Sequence, residues 1–204
     1  MKGSEERYEN FTYEIGGSLY INLTSKCTND CTFCVRNEKA DYFGHKLWLS
    51  REPSAQDVTA RLPQEISRYK EYVVCGLGEP TIKLDVLLEV AKEIKARGGV
   101  TRINTNGQAN MIHKRDVTGE LAACIDKINV SLNEATAEDY VKLCRPAFGE
   151  AAFAGLQDFA KKCAQRGIDT WFSVVDVIGE EKIGQCRRIA RECGVALRVR
   201  AYIG

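Results

Sequence analysis

Short runs of β-branched and aromatic residues alternate with segments of helical periodicity along this chain of 204 residues. Apolar side chains recur at positions 84, 87, 88, 91 and 94, which places them on one face of a helix that ends at the glycine pair 98–99. This helix is predicted to cover residues 84–97. Similar patterns predict four more helices, over residues 55–70 (capped at Ser54), 114–124, 153–166 and 181–193. Six strands are predicted near residues 18–24, 72–76, 100–104, 127–132, 169–175 and 195–202. This alternation predicts an α/β fold with a parallel sheet.

The number of strand–helix units limits the architecture. Six units are too few for a closed eight-stranded barrel. No repeat, low-complexity tract or Pro/Gly/Ser-rich linker interrupts the pattern, so a single domain over residues 1–204 is expected. In parallel folds of this kind, the loops at the carboxyl ends of the strands build the functional site. The distinctive motifs of this chain follow predicted strands, and we therefore expect them to form one site.

Composition narrows the function classes. Lysine plus arginine (29) nearly equals aspartate plus glutamate (28), which argues against a general binder of the phosphate backbone. The amino-terminal residues are polar and charged, and no segment is long and apolar enough to span a bilayer, so a cytoplasmic location is expected. Nine cysteines, an odd number that includes several in predicted helices, indicate a reducing compartment instead of a disulfide scaffold.

Three cysteines lie close together directly after the first predicted strand. Cys27, Cys31 and Cys34 have the spacing CxxxCxxC, and three thiolates on one loop can bind three irons of a cubane cluster while the fourth iron keeps an open position. Complete cysteine ligation would need a fourth thiolate nearby, and the next one, Cys75, lies some forty residues further on. A tetrahedral zinc site has the same shortage, although His45 could supply a fourth ligand. A zinc-stabilised binding module without catalysis therefore stays open as an alternative.

The cysteine spacing, with the aromatic Phe33 just before the last cysteine, resembles the signature of the radical S-adenosylmethionine enzymes. This resemblance implies a partial, open (β/α)6 barrel similar to a TIM barrel, with the cluster loop at residues 27–34. It also implies two cofactors, a [4Fe-4S] cluster and S-adenosyl-L-methionine, whose reductive cleavage gives a 5'-deoxyadenosyl radical. An external electron donor of the flavodoxin or ferredoxin type is implied as the partner.

Further motifs match the same family in the same order. Residues 75–80, CGLGEP, resemble the GGEP motif that holds the methionine amino group of the cofactor, with Leu77 in place of the first glycine. Residues 104–107, NTNG, look like the family's TNG turn, and residues 130–133, VSLN, resemble a strand end whose polar side chains face the cofactor. A downstream stretch that contains Tyr140 resembles a "Y..L.RP" segment and offers an arginine as a carboxylate clamp or as a salt bridge at a helix end. The resemblance thus assigns cofactor contacts to Phe33, Gly78, Glu79, Asn106, Ser131, Asn133 and Arg145.

Substrate and subfamily are less closely defined. Residues 47–53, LWLSREP, resemble short radical S-adenosylmethionine proteins linked to TatD-type nucleases, which implies an association with such a nuclease. The sequence ends after the sixth strand, so an open barrel mouth is expected, and this favours a protein or nucleic-acid substrate, including a glycyl-radical partner that the enzyme would activate. The alternative is a small-molecule enzyme similar to 7-carboxy-7-deazaguanine synthase.

Overall fold

The computed structural model describes residues 8–38 and 42–202. One sheet of seven strands forms its centre, and the spatial order of the strands follows the chain order. The strands are β1 (Thr12–Ile15), β2 (Ser18–Ile21), β3 (Tyr72–Val74), β4 (Thr101–Thr105), β5 (Lys127–Ser131), β6 (Asp169–Val175) and β7 (Ala196–Arg200). The helices are α1 (Val35–Glu38), α2 (Ala55–Thr59), α3 (Leu84–Ala96), α4 (Ala109–His113), α5 (Thr118–Ala122), α6 (Ala137–Cys144), α7 (Ala151–Gln165) and α8 (Glu180–Glu192).

All six predicted strands are confirmed as β2 to β7, which run parallel, and the sheet is not closed between its first and last strands. The predicted open α/β barrel is therefore present. The seventh strand, β1, was not predicted. It pairs antiparallel with β2 across Gly16 and Gly17, which both adopt positive φ angles. A glycine pair between two apolar runs is a hairpin signal, and it could have been used to find β1.

The helix predictions are confirmed where the apolar periodicity is long. The helices α3, α7 and α8 begin and end within two residues of the predicted first and last residues. The prediction of one helix over residues 55–70 is wrong, because α2 ends at Thr59 and only a three-residue 3-10 turn, Ile66–Arg68, follows. Pro63 explains the interruption, since proline lacks the N–H that a helix needs and restricts the residue before it. The predicted cap at Ser54 is confirmed, because Ser54 and Asp57 form a capping box.

The predicted helix over residues 114–124 is wrong at its start. Helix α4 precedes this region, and it ends just before Lys114, which has a left-handed φ of 53°. A second short helix, α5, follows where the Asp116 carboxylate accepts hydrogen bonds from the backbone N–H and hydroxyl of Thr118. Local polar contacts thus divide a segment whose apolar pattern alone suggested one helix.

The two faces of the sheet differ in chemistry. Ile103, Ile128 and Phe172 point to the helical layer and belong to the hydrophobic core. The intervening side chains point to the barrel interior, where the Arg102 guanidinium lies 3.0 Å from the Glu71 carboxylate. The interior is therefore polar at its base, with the carboxyl ends of the strands above it. Within the described residues, no helix is both long and apolar enough to cross a membrane.

Candidate active site

A cavity of about 250 Å³ opens at the carboxyl ends of the strands. Its wall contains residues from the loops after β2, β3, β4 and β5 and from the end of β7. Nine of the ten residues that the sequence assigns to the site line this cavity: Cys27, Cys31, Phe33, Cys34, Gly78, Glu79, Asn106, Ser131 and Asn133. The tenth, Arg145, does not line it. Motifs that are separated by more than a hundred residues along the chain thus face one space.

The end of helix α6 holds the cysteine loop in place. The backbone N–H of Asp30 donates to the carbonyl oxygen of Cys144 at 3.0 Å, and that of Thr32 donates to Leu143 at 2.9 Å. After the helix, the N–H of Ala147 donates to the carbonyl of Thr28 at 2.7 Å. The first two contacts satisfy carbonyl groups that the end of α6 would leave without partners, and the three together fix the loop.

Three buried polar side chains attach the same loop to the loop after β4. The Asn29 amide donates to the Tyr140 hydroxyl at 3.1 Å, and the Gln108 amide donates both to Asn29 Oδ1 at 2.7 Å and to the same hydroxyl at 3.2 Å. Tyr140 is fully buried. The "Y..L.RP" segment therefore supports the cysteine loop from behind, a role that the sequence did not reveal.

Arg145 ends α6 with a left-handed φ of 44° and an exposed side chain. It makes no salt bridge with any described residue, and it does not line the cavity. Its role as a clamp for a cofactor carboxylate stays a prediction.

The three cysteines are partly buried. Burial raises the pKa of Cys27 to about 12 and also raises the pKa of Cys34, whereas the pKa of Cys31 is raised by a hydrogen bond to Cys144 and by burial. The Arg36 guanidinium works in the opposite direction on all three pKa values. Arg36 is held by a 2.9 Å hydrogen bond to the Asn29 carbonyl. Since metals bind the thiolate, a cation at this position favours ligation. Sequence reasoning missed Arg36, although it follows Cys34 by only two residues.

Glu79 joins two of the loops that form the cavity wall. Its Oε1 accepts hydrogen bonds from the backbone N–H and hydroxyl of Thr81 and from the hydroxyl of Thr105, at 2.7 to 3.0 Å. Its Oε2 accepts from the backbone N–H of Asn106 at 2.7 Å. Burial raises the pKa of Glu79, and these four hydrogen bonds oppose the increase. The carboxylate therefore links the ends of β3 and β4, and the side chain of Asn106 extends this link to Thr28 at 2.8 Å.

Gly78 brings the loop after β3 against the cysteine loop. A Cβ atom at this position would lie 2.3 Å from the carbonyl oxygen of Lys26 and 2.5 Å from that of Thr24. The neighbouring Glu79 N–H donates to the same Lys26 carbonyl at 2.8 Å. The close approach that Gly78 permits is to the backbone that leads into Cys27.

Polar side chains at the end of β5 have unused hydrogen-bonding capacity. Asn133 adopts a left-handed φ of 60°, and its amide nitrogen lies 3.7 Å from Cys144 Sγ. The Oδ1 atoms of Asn133 and Asn129 are buried and have no partner among the described residues. Leu132 points away into the core, as the alternation of a strand requires. Sequence reasoning missed Asn129, which lines the cavity and lies two residues before Ser131 on the same face of the strand.

This donor set fits the two implied cofactors. Three thiols on one loop can each bind one iron of a cubane, and buried amide oxygens without partners suit a polar ligand in the same cavity. A single tetrahedral ion would instead need its ligands around one point. Among the described residues no three His, Cys, Asp or Glu side chains have that arrangement. His45 is turned away from the cysteines, with Nε2 3.1 Å from the Glu14 carbonyl and its ring against Tyr13.

The remaining cysteines divide between the cavity and the core. Cys75, at the end of β3, lines the cavity. Cys163 and Cys186 are buried in the core on α7 and α8, and Cys193 packs against it. All nine cysteines are free thiols.

Comparison with known proteins identifies the family. The model of the Radical SAM superfamily matches residues 21–192. A probable GTP 3',8-cyclase from Thermococcus kodakarensis is 29% identical over 147 residues, which cover 71% of this chain and 44% of that protein. A pyruvate formate-lyase-activating enzyme from Staphylococcus epidermidis is 29% identical over 114 residues, 52% of this chain and 42% of its own length. The chain spans less than half the length of these curated relatives.

Solved structures share the fold. Streptococcus suis SuiB bound to S-adenosylmethionine superimposes with a TM-score of 0.65 at 19% identity, over 90% of this chain and 38% of that chain. The structure of TYW1 with a lysine-pyruvate adduct gives a TM-score of 0.66 at 13% identity, over 92% of this chain and 65% of that one. At such low identity these structures show the fold alone.

Proposed function

The chain belongs to the radical S-adenosylmethionine superfamily, and we propose that it is an enzyme that uses a [4Fe-4S] cluster to cleave S-adenosylmethionine reductively and abstract hydrogen from a substrate. The observation that carries this proposal is the convergence of Cys27, Cys31 and Cys34 on a cavity whose other wall has buried amide oxygens without partners. When bound, the cluster would supply the electron for cleavage of the sulfonium.

The protein's own residues then bind, orient and exclude water. We propose that the three cysteines bind three irons and that Arg36 favours their thiolate form. Phe33, half-buried beside Cys34, would shield the cluster from solvent. The backbone at Gly78 and Glu79, the Asn106 side chain and the polar groups of Ser131 and Asn133 would position S-adenosylmethionine. Arg145 lies outside the cavity and is not needed for this arrangement.

Two features of the wider reaction are also proposals. An external one-electron donor of the flavodoxin or ferredoxin type would reduce the cluster, and the protein would work in the cytoplasm. The substrate is unassigned. We favour a protein or nucleic-acid substrate over a metabolite, because the cavity is small for two reactants. The expected association with a TatD-type nuclease stays a prediction.

Iron content tests the first part of the proposal. After anaerobic reconstitution, the protein should contain about four irons per chain and show the reduced spectrum of a cubane cluster. Cys27→Ala, Cys31→Ala or Cys34→Ala should each abolish this spectrum. Cys163→Ala and Cys193→Ala are matched controls that should retain it, because these thiols lie in or against the hydrophobic core. Stoichiometric zinc without iron uptake would instead support the zinc-stabilised module.

Cofactor cleavage tests the second part. With a strong reductant, the reconstituted protein should convert S-adenosylmethionine to methionine and 5'-deoxyadenosine without added substrate. Asn133→Gly should weaken cofactor binding by about 1–3 kcal/mol if a buried hydrogen bond is lost. Glycine is preferable to alanine here, since the backbone at this position is left-handed and alanine would add strain. Unchanged affinity would show that Asn133 has a structural role only.

A further inference from the structure

The cavity is too small to enclose a second reactant beside the cofactor. Its volume is about 250 Å³, it is open at its mouth, and the proposed function places both the cluster and S-adenosylmethionine in it. If S-adenosylmethionine occupies this space, as proposed above, the substrate must approach from the mouth. The surface around the mouth therefore determines what kind of substrate can be recognised.

Large apolar side chains are exposed around this mouth. We define the rim as Tyr42, Phe43, Val177, Arg200 and Tyr202. Tyr42, Arg200 and Tyr202 line the cavity, and the ring of Phe43 packs edge-on against Tyr42 at a centroid distance of 4.7 Å. Val177 follows Asp176, whose carboxylate accepts a 3.0 Å hydrogen bond from the backbone N–H of Tyr202. The rim thus forms one surface from two sides of the open barrel.

The exposure of the rim is unusual within this molecule. Four large hydrophobic side chains are exposed among the described residues, and three of them belong to the rim: Phe43 at 58%, Val177 at 46% and Tyr202 at 39%. Exposed apolar groups that cluster in this way mark interaction surfaces, and interface cores are enriched in aromatic residues and arginine.

Arg200 supplies the charge of the rim. It lines the cavity together with Cys75 and Tyr42, and its charge opposes the increase that burial causes in the pKa values of both residues. It makes no salt bridge or hydrogen bond with any residue in the described part of the chain. The carboxylate that lines the cavity, Glu79, already accepts four hydrogen bonds from its own loops. Arg200 is therefore available for an anionic group of a ligand, for which its planar fork is suited.

We propose that the rim binds an extended segment of a protein substrate that carries an aspartate or glutamate. The carboxylate of that residue pairs with Arg200, and a neighbouring apolar side chain packs on Phe43, Val177 and Tyr202. This inference rests on the proposed function, because it specifies the substrate of the same site. A nucleic-acid strand fits less well, since it would require a row of cations and the rim contains one.

Two libraries of short degenerate peptides test this directly. The libraries are identical except that the central residue is Asp or Glu in one and Asn or Gln in the other. Anaerobically reconstituted protein is immobilised, and retained peptides are quantified by mass spectrometry. We expect the acidic library to be retained about five- to tenfold better, with aromatic and aliphatic residues enriched beside the centre.

Variants assign the preference to the rim. Arg200→Gln should abolish the preference for the acidic library. Arg188→Gln removes an exposed arginine from α8 and should leave it unchanged. Phe43→Ser should reduce retention of both libraries without changing their ratio.

The following results would overturn the inference: equal retention of the two libraries, a preference that survives Arg200→Gln, selective Arg200-dependent retention of degenerate RNA oligonucleotides, or a dimer that buries the rim. Cofactor cleavage is measured on the same preparation. If cleavage persists while the acidic preference is absent, only this inference fails. If the protein neither binds iron nor cleaves the cofactor, the proposed function fails whatever the peptides do.

Discussion

Gly78→Ala is the most informative single change, because Gly78 is the point where the loop after β3 touches the cysteine loop. The new Cβ would lie 2.3 Å from the Lys26 carbonyl oxygen, where ordinary contacts begin at 3.4 Å. The two backbones would have to separate by about 1 Å, and such overpacking costs about 1–3 kcal/mol. The 2.8 Å hydrogen bond from the Glu79 N–H to the same carbonyl would weaken as well.

One effect works in the opposite direction. Replacing glycine by alanine lowers the conformational entropy of the unfolded chain and stabilises by about 0.4–1 kcal/mol where the site can accept it. We therefore expect Gly78→Ala to lower the free energy of unfolding by about 2 kcal/mol, which corresponds to a melting temperature about 4–8 °C lower for a chain of this size. The displaced loop should also bind iron less completely.

Gly184→Ala is the matched control. Gly184 lies within α8, and a Cβ there would meet nothing within 4 Å. The same chemical change should therefore stabilise the protein by about 0.4–1 kcal/mol. Urea titrations followed by circular dichroism give the free energies of unfolding of the native protein, Gly78→Ala and Gly184→Ala, each in the reduced, metal-free form. A free energy of unfolding for Gly78→Ala within about 0.5 kcal/mol of the native value would refute the steric argument.

Two further predictions concern the polar groups behind the cavity. Tyr140→Phe should lower the free energy of unfolding by about 1–3 kcal/mol, because the amides of Asn29 and Gln108 lose the hydroxyl that accepts a hydrogen bond from both. An unchanged free energy of unfolding in urea titrations would show that Tyr140 does not support the cysteine loop. Burial raises the pKa of Glu79 above its ordinary value of 4.5, so the folded state binds this proton more tightly than the unfolded state. The stability of the native protein relative to Glu79→Gln should thus be greatest below pH 4.5 and decline as the pH rises, and an increase would show that the four hydrogen bonds outweigh burial.

Much of the fold was predictable because it depends on local pattern. The strands β2 to β7 are short apolar runs between glycine, proline or polar segments, and the long helices α3, α7 and α8 have an uninterrupted apolar face. The cysteine loop was predictable for a similar reason, since the spacing of its ligands lies within eight residues. The weaker helices were mispredicted because periodicity does not register a proline break at Pro63 or a left-handed exit at Lys114.

The composition of the candidate site was decided by tertiary structure. Asn129 and Arg200 carry no motif of their own, and they reach the cavity only because the loops and strands of an open barrel converge there. Arg36 likewise carries no motif, and it acts on the cysteines because the folded loop holds its guanidinium against the Asn29 carbonyl. The same convergence made Tyr140 a support for the cysteine loop and left Arg145, five residues later, exposed to solvent. A sequence determines which residues can serve as ligands, because that is a property of each side chain. Which of them share a space depends on contacts between distant segments, and these exist only in the folded chain.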